Sequence, residues 1–465
     1  MTAAPRGNGF PADFLWGAAT SAFQIEGGVD LDGRGASIWD TFCATPGKIA
    51  GGDDARTAAD HRNRMAEDVA LLASLGVQAY RFSIAWPRVM PTGRGAVSED
   101  GLDFYRALVE ELLDAGVEPV ATLYHWDLPQ ALEDDGGWPA RDTASWFAEY
   151  AAVVGSALGG RVRHWTTVNE PWCAAMLGYA AGVHAPGRAD PGAAVAASHH
   201  LLLAHGLAVD ALRATAGPEA EIAISLNPYP VVAAGPTDAD RDAARRVDGV
   251  ANRLWYDAVL RGCYPDDVLE DFSTVSDLTH IRDGDLAQIA RPLDAMGLNY
   301  YRRHHARATP GASVDGPTAQ WPGSPDVELV TPPGPVTDGG WAVEPEGLLE
   351  ALVALTEGYD PPPLYVHEAG AAYDDDLDPQ GEVHDEGRVA WLDAHLRSAR
   401  RAADQGVDLR GFFVWSLLDN FEWAEGFRHR FGIVHVDRDT LVRTPKASAR
   451  WYRQVIAAGG SGEDD

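Results

Sequence analysis

Eight short apolar runs, each followed by a longer amphipathic stretch, constrain this chain more than any other feature. The runs span residues 14–18, 79–84, 120–125, 164–168, 222–226, 295–299, 364–366 and 412–416. Helical patterns lie between them, as in 66–75, 104–115 and 146–158. In the last of these, Phe147, Tyr150, Ala151 and Val154 recur at helical spacing. Gly76, Gly116 and Gly406 stand where helix C-termini are expected, each a few residues before a strand-like run. Eight such repeats point to a closed parallel (β/α)8 barrel with its active site at the C-terminal face of the strands. The rival, an open doubly wound sheet, needs a Gly-rich phosphate loop after its first strand, and Gly7-Asn8-Gly9 is not one. The reading is one domain over 1–458 with a disordered tail over 459–465.

Charge narrows the partners. Asp and Glu number 69 against 37 Lys and Arg, a net charge of −32. Such a chain repels nucleic acid and anionic lipid, so neither is an expected partner. Three cysteines without CxxC spacing imply reduced, buried thiols rather than a disulfide framework or a zinc site. The N-terminal residues lack an apolar signal segment, and no long apolar run is evident elsewhere. The expectation is a soluble cytoplasmic protein; its oligomeric state is not legible.

Chemistry-bearing residues gather where the apolar runs end. Gln24 and Glu26 follow the first run, and Arg81 lies in the second. His125-Trp126 closes the third, Asn169-Glu170 the fourth, Asn299-Tyr300-Tyr301 the sixth and Glu368 the seventh. Trp415, then Glu422-Trp423, follow the eighth. In a barrel these ends converge on one face. The mixture suits a sugar: amides, imidazole and carboxylates meet hydroxyls, and indole faces cover the C–H faces of a pyranose. Two carboxylates delivered at strand ends are what cleavage of a glycosidic bond requires. His199, His200 and His205 do not share a helix face, so no metal site is expected. The acidic run 374–378 lacks the spacing of a calcium loop and reads as solvated. Residues 309–337, rich in Pro and Gly, read as a long loop near the pocket mouth.

Several segments together resemble glycoside hydrolase family 1, the β-glucosidase family, over nearly the whole chain. They include Phe23-Gln24-Ile25-Glu26-Gly27, Tyr80-Arg81-Phe82-Ser83, His125-Trp126-Asp127-Leu128-Pro129, Thr167-Val168-Asn169-Glu170-Pro171, Leu298-Asn299-Tyr300-Tyr301 and Asn420-Phe421-Glu422-Trp423. The resemblance implies a retaining, exo-acting β-glycosidase, foremost a β-glucosidase, that needs no cofactor. Glu170 would be the acid/base and Glu368 the nucleophile, with carboxyls roughly 5–5.5 Å apart. The charge of Glu368 would raise the pKa of Glu170 until glycosylation removes it. Gln24, His125, Trp126, Asn169, Glu422 and Trp423 would hold the sugar hydroxyls, Trp415 would form the floor, and Phe431 would lie near the primary hydroxyl. Tyr301 and Arg81 would contact Glu368, with Asn299 in support. Glu422 would repel a 6-phosphate, favouring a neutral sugar.

The family's nucleophile segment reads Thr-Glu-Asn-Gly, whereas this chain has His367-Glu368-Ala369-Gly370. Strand alternation would turn positions 367 and 369 away from the sugar, making them supports of Glu368. The second hypothesis is therefore a sugar-binding or sensing protein with impaired turnover.

Overall fold

The computed structural model describes residues 9–312 and 319–460. Eight parallel strands close a barrel: β1 (Leu15–Ala19), β2 (Ala79–Ser83), β3 (Glu118–Tyr124), β4 (His164–Asn169), β5 (Glu221–Leu226), β6 (Met296–Tyr300), β7 (Leu364–Ala369) and β8 (Leu409–Trp415). All eight coincide with the apolar runs, and bounds differ by at most a few residues. Each strand pairs with the next in sequence. The ring closes where Ala18 on β1 registers with Tyr80 on one side and Val414 on the other. Both faces of these strands are covered, which is why the runs read as continuously apolar rather than alternating.

Seven long helices make most of the outer layer: α1 (His61–Ser74), α2 (Glu99–Asp114), α3 (Asp142–Leu158), α4 (Pro191–Thr215), α5 (Glu346–Tyr359), α6 (Glu386–Asp404) and α7 (Ala447–Ala458). Helix α2 illustrates the local logic. Ser98 caps it by accepting from the Gly101 amide at 3.1 Å, and Glu99 and Asp100 complement its N-terminal dipole. Its apolar positions, Leu102, Tyr105, Leu108, Val109 and Leu112, are buried. Gly76, Gly116 and Gly406 follow α1, α2 and α6 with φ of 72°, 74° and 99°, a region that favours glycine. Helix α4 is long and apolar enough to cross a membrane, a length the sequence reading missed, but 78% of its apolar window is buried inside the barrel's shell.

Several expectations need correction. The acidic run is not wholly solvated. Asp375 is buried and accepts from Lys446 Nζ at 2.9 Å, while Lys446 also reaches Asp419 at 2.8 Å. The Arg388 guanidinium, equally buried, pairs with Asp375 and Asp385. This network ties the segments after β7 and β8 to the start of α7. Within 309–337, Val327–Leu329 forms a strand against His304–Ala308, and Gln320 reaches the catalytic cavity; residues 313–318 lie outside the described residues. Of the tail, 461–465 lie outside them too, but Gly459 is placed, capping α7 and accepting from the Phe10 amide at 3.0 Å. Cys263 is exposed, not buried. The three α4 histidines are engaged with Asp285, the Trp138 carbonyl and Thr167.

Candidate active site

The C-terminal strand ends enclose a cavity of about 230 Å³. Glu170, Glu368 and Glu422 line it together with His125, Trp126, Tyr301, Trp415, Trp423 and Phe431. Gln24 and Asn169 do not line it but support it from behind. Gln24 Nε2 donates to Asn420 Oδ1 (3.0 Å), the Phe421 carbonyl (2.9 Å) and Glu422 Oε2 (3.3 Å). Asn169 Oδ1 accepts from Arg81 Nη2 (2.6 Å) and Asn299 Nδ2 (3.0 Å).

The two central carboxylates are held in contrasting ways. Glu368 receives a cation and a phenol, Arg81 Nη1 at 2.6 Å and Tyr301 OH at 2.7 Å. Burial raises its pKa, and both partners oppose that rise. Glu170 has only neutral donors: Asn299 Nδ2 on Oε1 at 2.7 Å, and the Cys173 thiol on Oε2 at 3.1 Å. Burial first, and the Glu368 charge second, hold the Glu170 carboxyl well above the usual range. The sequence reading named only the second cause. An amide N–H cannot accept, so a proton on Glu170 belongs on Oε2, where the thiol can turn from donor to acceptor. Cys173 was read only as a buried thiol, since no spacing pattern marks a single cysteine.

Backbone geometry is unusual at three of these residues. Trp126, Glu170 and Trp423 adopt φ of 78°, 44° and 52°, sparsely populated by bulky side chains. His125 Nε2 accepts from Asn169 Nδ2 at 3.1 Å. Burial and the nearby Arg81 push its pKa well below the usual value, leaving a neutral imidazole. Trp415 lies nearly parallel to His125, ring centres 5.6 Å apart.

His367 and Ala369 do not line the cavity, yet simple alternation is not the reason. The pairing of β7 slips between Val366 and Glu368 against β6, and between Val366 and Ala369 against β8. His367 enters the barrel axis with Leu15, Val120, Thr166 and Phe413. It occupies space over Gly297, where an added Cβ would lie 2.0 Å from Nδ1. Burial, then the Arg81 charge, keeps its imidazole neutral, so it adds no cation beneath Glu368. Ala369 is buried in the main apolar core, where an amide would need a partner.

Glu422 carries the third carboxylate. Burial, then the charges of Glu368 and Glu170, push it up to about 8. Its folded pKa exceeds the unfolded value of 4.5, so the folded state loses stability as pH rises from 4.5 to about 8. Glu422→Gln is accordingly expected to raise the melting temperature at pH 8 by a few degrees but not at pH 4, while lowering kcat/KM for a β-glucoside about tenfold. Equal melting shifts at both pH values in a calorimetric scan would contradict the linkage.

The remaining lining residues were not anticipated: Trp172, Leu177, His184, Tyr229, Arg302, Gln320, Trp341 and Glu425. Most lie on loops beyond the strand ends. Arg302, next to Tyr301, and Trp172, two residues past Glu170, were the discoverable ones.

The model of Glycosyl hydrolase family 1 matches residues 6–461. A bifunctional β-D-glucosidase/β-D-fucosidase of Bifidobacterium breve is 44% identical over 460 residues, covering 96% of this chain and 98% of that one. The structure of a psychrophilic β-glucosidase from Micrococcus antarcticus superposes with a TM-score of 0.94 at 47% identity, covering 97% and 98% of the two chains. A Thermotoga maritima β-glucosidase in complex with deoxynojirimycin gives 0.93 at 43%, covering 98% and 100%. The chain belongs to glycosyl hydrolase family 1. It is a glycoside hydrolase acting on O-glycosidic bonds.

Proposed function

We propose that this β-glucosidase removes terminal β-D-glucosyl residues from small O-glycosides by two displacements at the anomeric carbon. Glu368 attacks that carbon while Glu170 protonates the departing oxygen from Oε2. Glu170 then takes a proton from the water that releases the sugar from Glu368. The contrast between the two carboxylates carries this reading. Arg81 and Tyr301 favour the ionised form of Glu368, and burial favours the protonated form of Glu170. Glycosylation discharges Glu368, which lowers the Glu170 pKa at the moment a base is needed.

Trp415 would carry the apolar face of the sugar, and His125, Trp423 and Glu422 its hydroxyls, with Gln24 and Asn169 becoming available as side chains adjust. Phe431 would border the primary hydroxyl. The ionised Glu368 disfavours a 6-phosphate by charge repulsion, and Glu422, pushed up to about 8, offers it no cation. The name of the Bifidobacterium relative makes fucose a second candidate sugar. The sensing alternative draws no support, since His367 is neutral and Ala369 lies away from the cavity.

A panel of nitrophenyl glycosides tests the reading. The β-D-glucoside is expected to turn over fastest, the β-D-fucoside within about one order of magnitude, because losing one hydroxyl contact costs on the order of 1 kcal/mol. The α-glucoside and the glucoside 6-phosphate should not turn over. Nitrophenol release from none of them, with glucose still bound, would restore the sensing alternative.

A further inference from the structure

Arg302 stands apart from the other basic groups near the cavity. Arg81 is paired with Glu368, and the neighbouring Arg303 with Glu344 and Glu350. Arg302 has no carboxylate partner among the described residues, although the chain carries 69 acidic side chains against 37 basic ones. It is not a surface residue left to water. It lines the catalytic cavity, and its guanidinium lies over the Trp341 ring, 4.6 Å from the centre. Burial pulls its pKa down, and the groups opposing that are Tyr229 and Cys173. A guanidinium nevertheless stays charged, and stacking on indole leaves its N–H edge free to donate.

Its neighbours fix which half of the cavity it serves. Cys173 donates to Glu170 Oε2 at 3.1 Å, and Asn227 links Cys173 (3.5 Å) to Tyr229 (3.3 Å). Arg302 therefore stands on the flank of Glu170, where the departing oxygen and its substituent must lie. The wall there is aromatic. Trp172 meets Tyr229 with ring centres 5.5 Å apart, and Trp341 meets Tyr301 at 5.7 Å. The fourth lining acid, Glu425, is already paired with Arg428.

An unpaired, half-buried cation on an aromatic wall is costly unless something anionic fills the space before it. We propose that the leaving-group half of the cavity selects β-glucosides whose aromatic aglycone carries a carboxylate, with Arg302 as its counter-ion. This rests on the β-glucosidase reading and names the substrate class of that same site. The ring would lie among Trp172, Tyr229 and Trp341, and the carboxylate would accept from the guanidinium edge. A neutral carboxamide of the same shape would forgo the charge-assisted bond.

The test compares carboxyphenyl with carboxamidophenyl β-D-glucosides, as 3- and 4-isomers, in wild type, Arg302→Gln and Arg302→Lys. The readout is the carboxylate-to-carboxamide ratio of kcat/KM within each enzyme, which cancels any general loss of activity. For at least one isomer this ratio should fall by at least about tenfold in Arg302→Gln. Arg302→Lys should recover part of it, and added salt should erode the wild-type ratio. Should Arg302→Gln fail to fold, competition by 4-hydroxybenzoate against 4-hydroxybenzamide in wild type carries the test, with the acid expected to bind tighter. Equal ratios in wild type and variant, or equal inhibition, would overturn the proposal. Failure of wild type on nitrophenyl β-glucoside would instead strike the glucosidase reading.

Discussion

Replacing Glu368 by Gln is expected to lower kcat for nitrophenyl β-D-glucoside by at least about 10⁴-fold, since the amide cannot form the covalent intermediate. The substitution is nearly isosteric. Tyr301 can still donate to the amide oxygen, and Arg81 keeps its bond to Asn169. The protein should therefore fold and bind glucose, which separates loss of chemistry from loss of structure. The stereochemical corollary is read on the wild type. NMR during early turnover should show the β-anomer of glucose forming first, because two inversions restore configuration. A Glu368→Gln variant within about a hundredfold of wild type would remove Glu368 from the nucleophile's role, as supporting residues give losses of that size.

Replacing Glu170 by Gln should have an effect that depends on the leaving group. An alkyl or cellobiosyl alcohol departs only when protonated, so its glucoside should lose about 10²–10⁴-fold in kcat/KM. A dinitrophenolate leaves unaided and should lose far less in the glycosylation step. The wild-type pH profile supplies a second check. Burial and Glu368 hold Glu170 above the ordinary carboxyl range, so activity should persist through neutral pH and fall on the alkaline side as Glu170 ionises. The two carboxyls titrate as a pair, so both limbs are properties of the pair. With Glu422, also pushed up to about 8, replaced by Gln, the alkaline limb should disappear in Glu170→Gln. A limb that survives, or an equal loss for both leaving groups, would reassign the acid.

The barrel was legible because each buried parallel strand must be apolar on both faces, and eight such runs leave little choice of architecture. The strand-end residues were legible for a related reason. A polar side chain directly after a buried run is either a liability or a tool; Glu170 alone could be a strand-end ion-pair partner, and its flanking motif set it apart. What escaped was set by tertiary geometry. The slip in β7 pairing that turns His367 inward leaves no mark in a residue pattern. The charge network of Asp375, Arg388 and Lys446 joins residues far apart in sequence, so Asp375 read as solvent-facing. The bonds of Gln24 to Asn420 and Glu422 were not foreseen, because they join it to a loop near the other end of the chain. The leaving-group wall was illegible because loop residues carry no periodicity.

The closure of β1 onto β8 has a consequence for how the enzyme is made. The first strand leaves the ribosome early, yet its partner along one edge is drawn from residues 411–415. Tyr452 then donates to the carbonyls of Gly17 and Phe412, stitching the two together. Until residues 411–415 have been synthesised, the nascent β1 segment carries an open β edge, the kind of surface that pairs wrongly when exposed. Assembly of the sugar pocket waits on the same event, since Gln24 and Glu422 are brought together only then. A stalled translation product of this enzyme is thus an aggregation hazard rather than a partial catalyst.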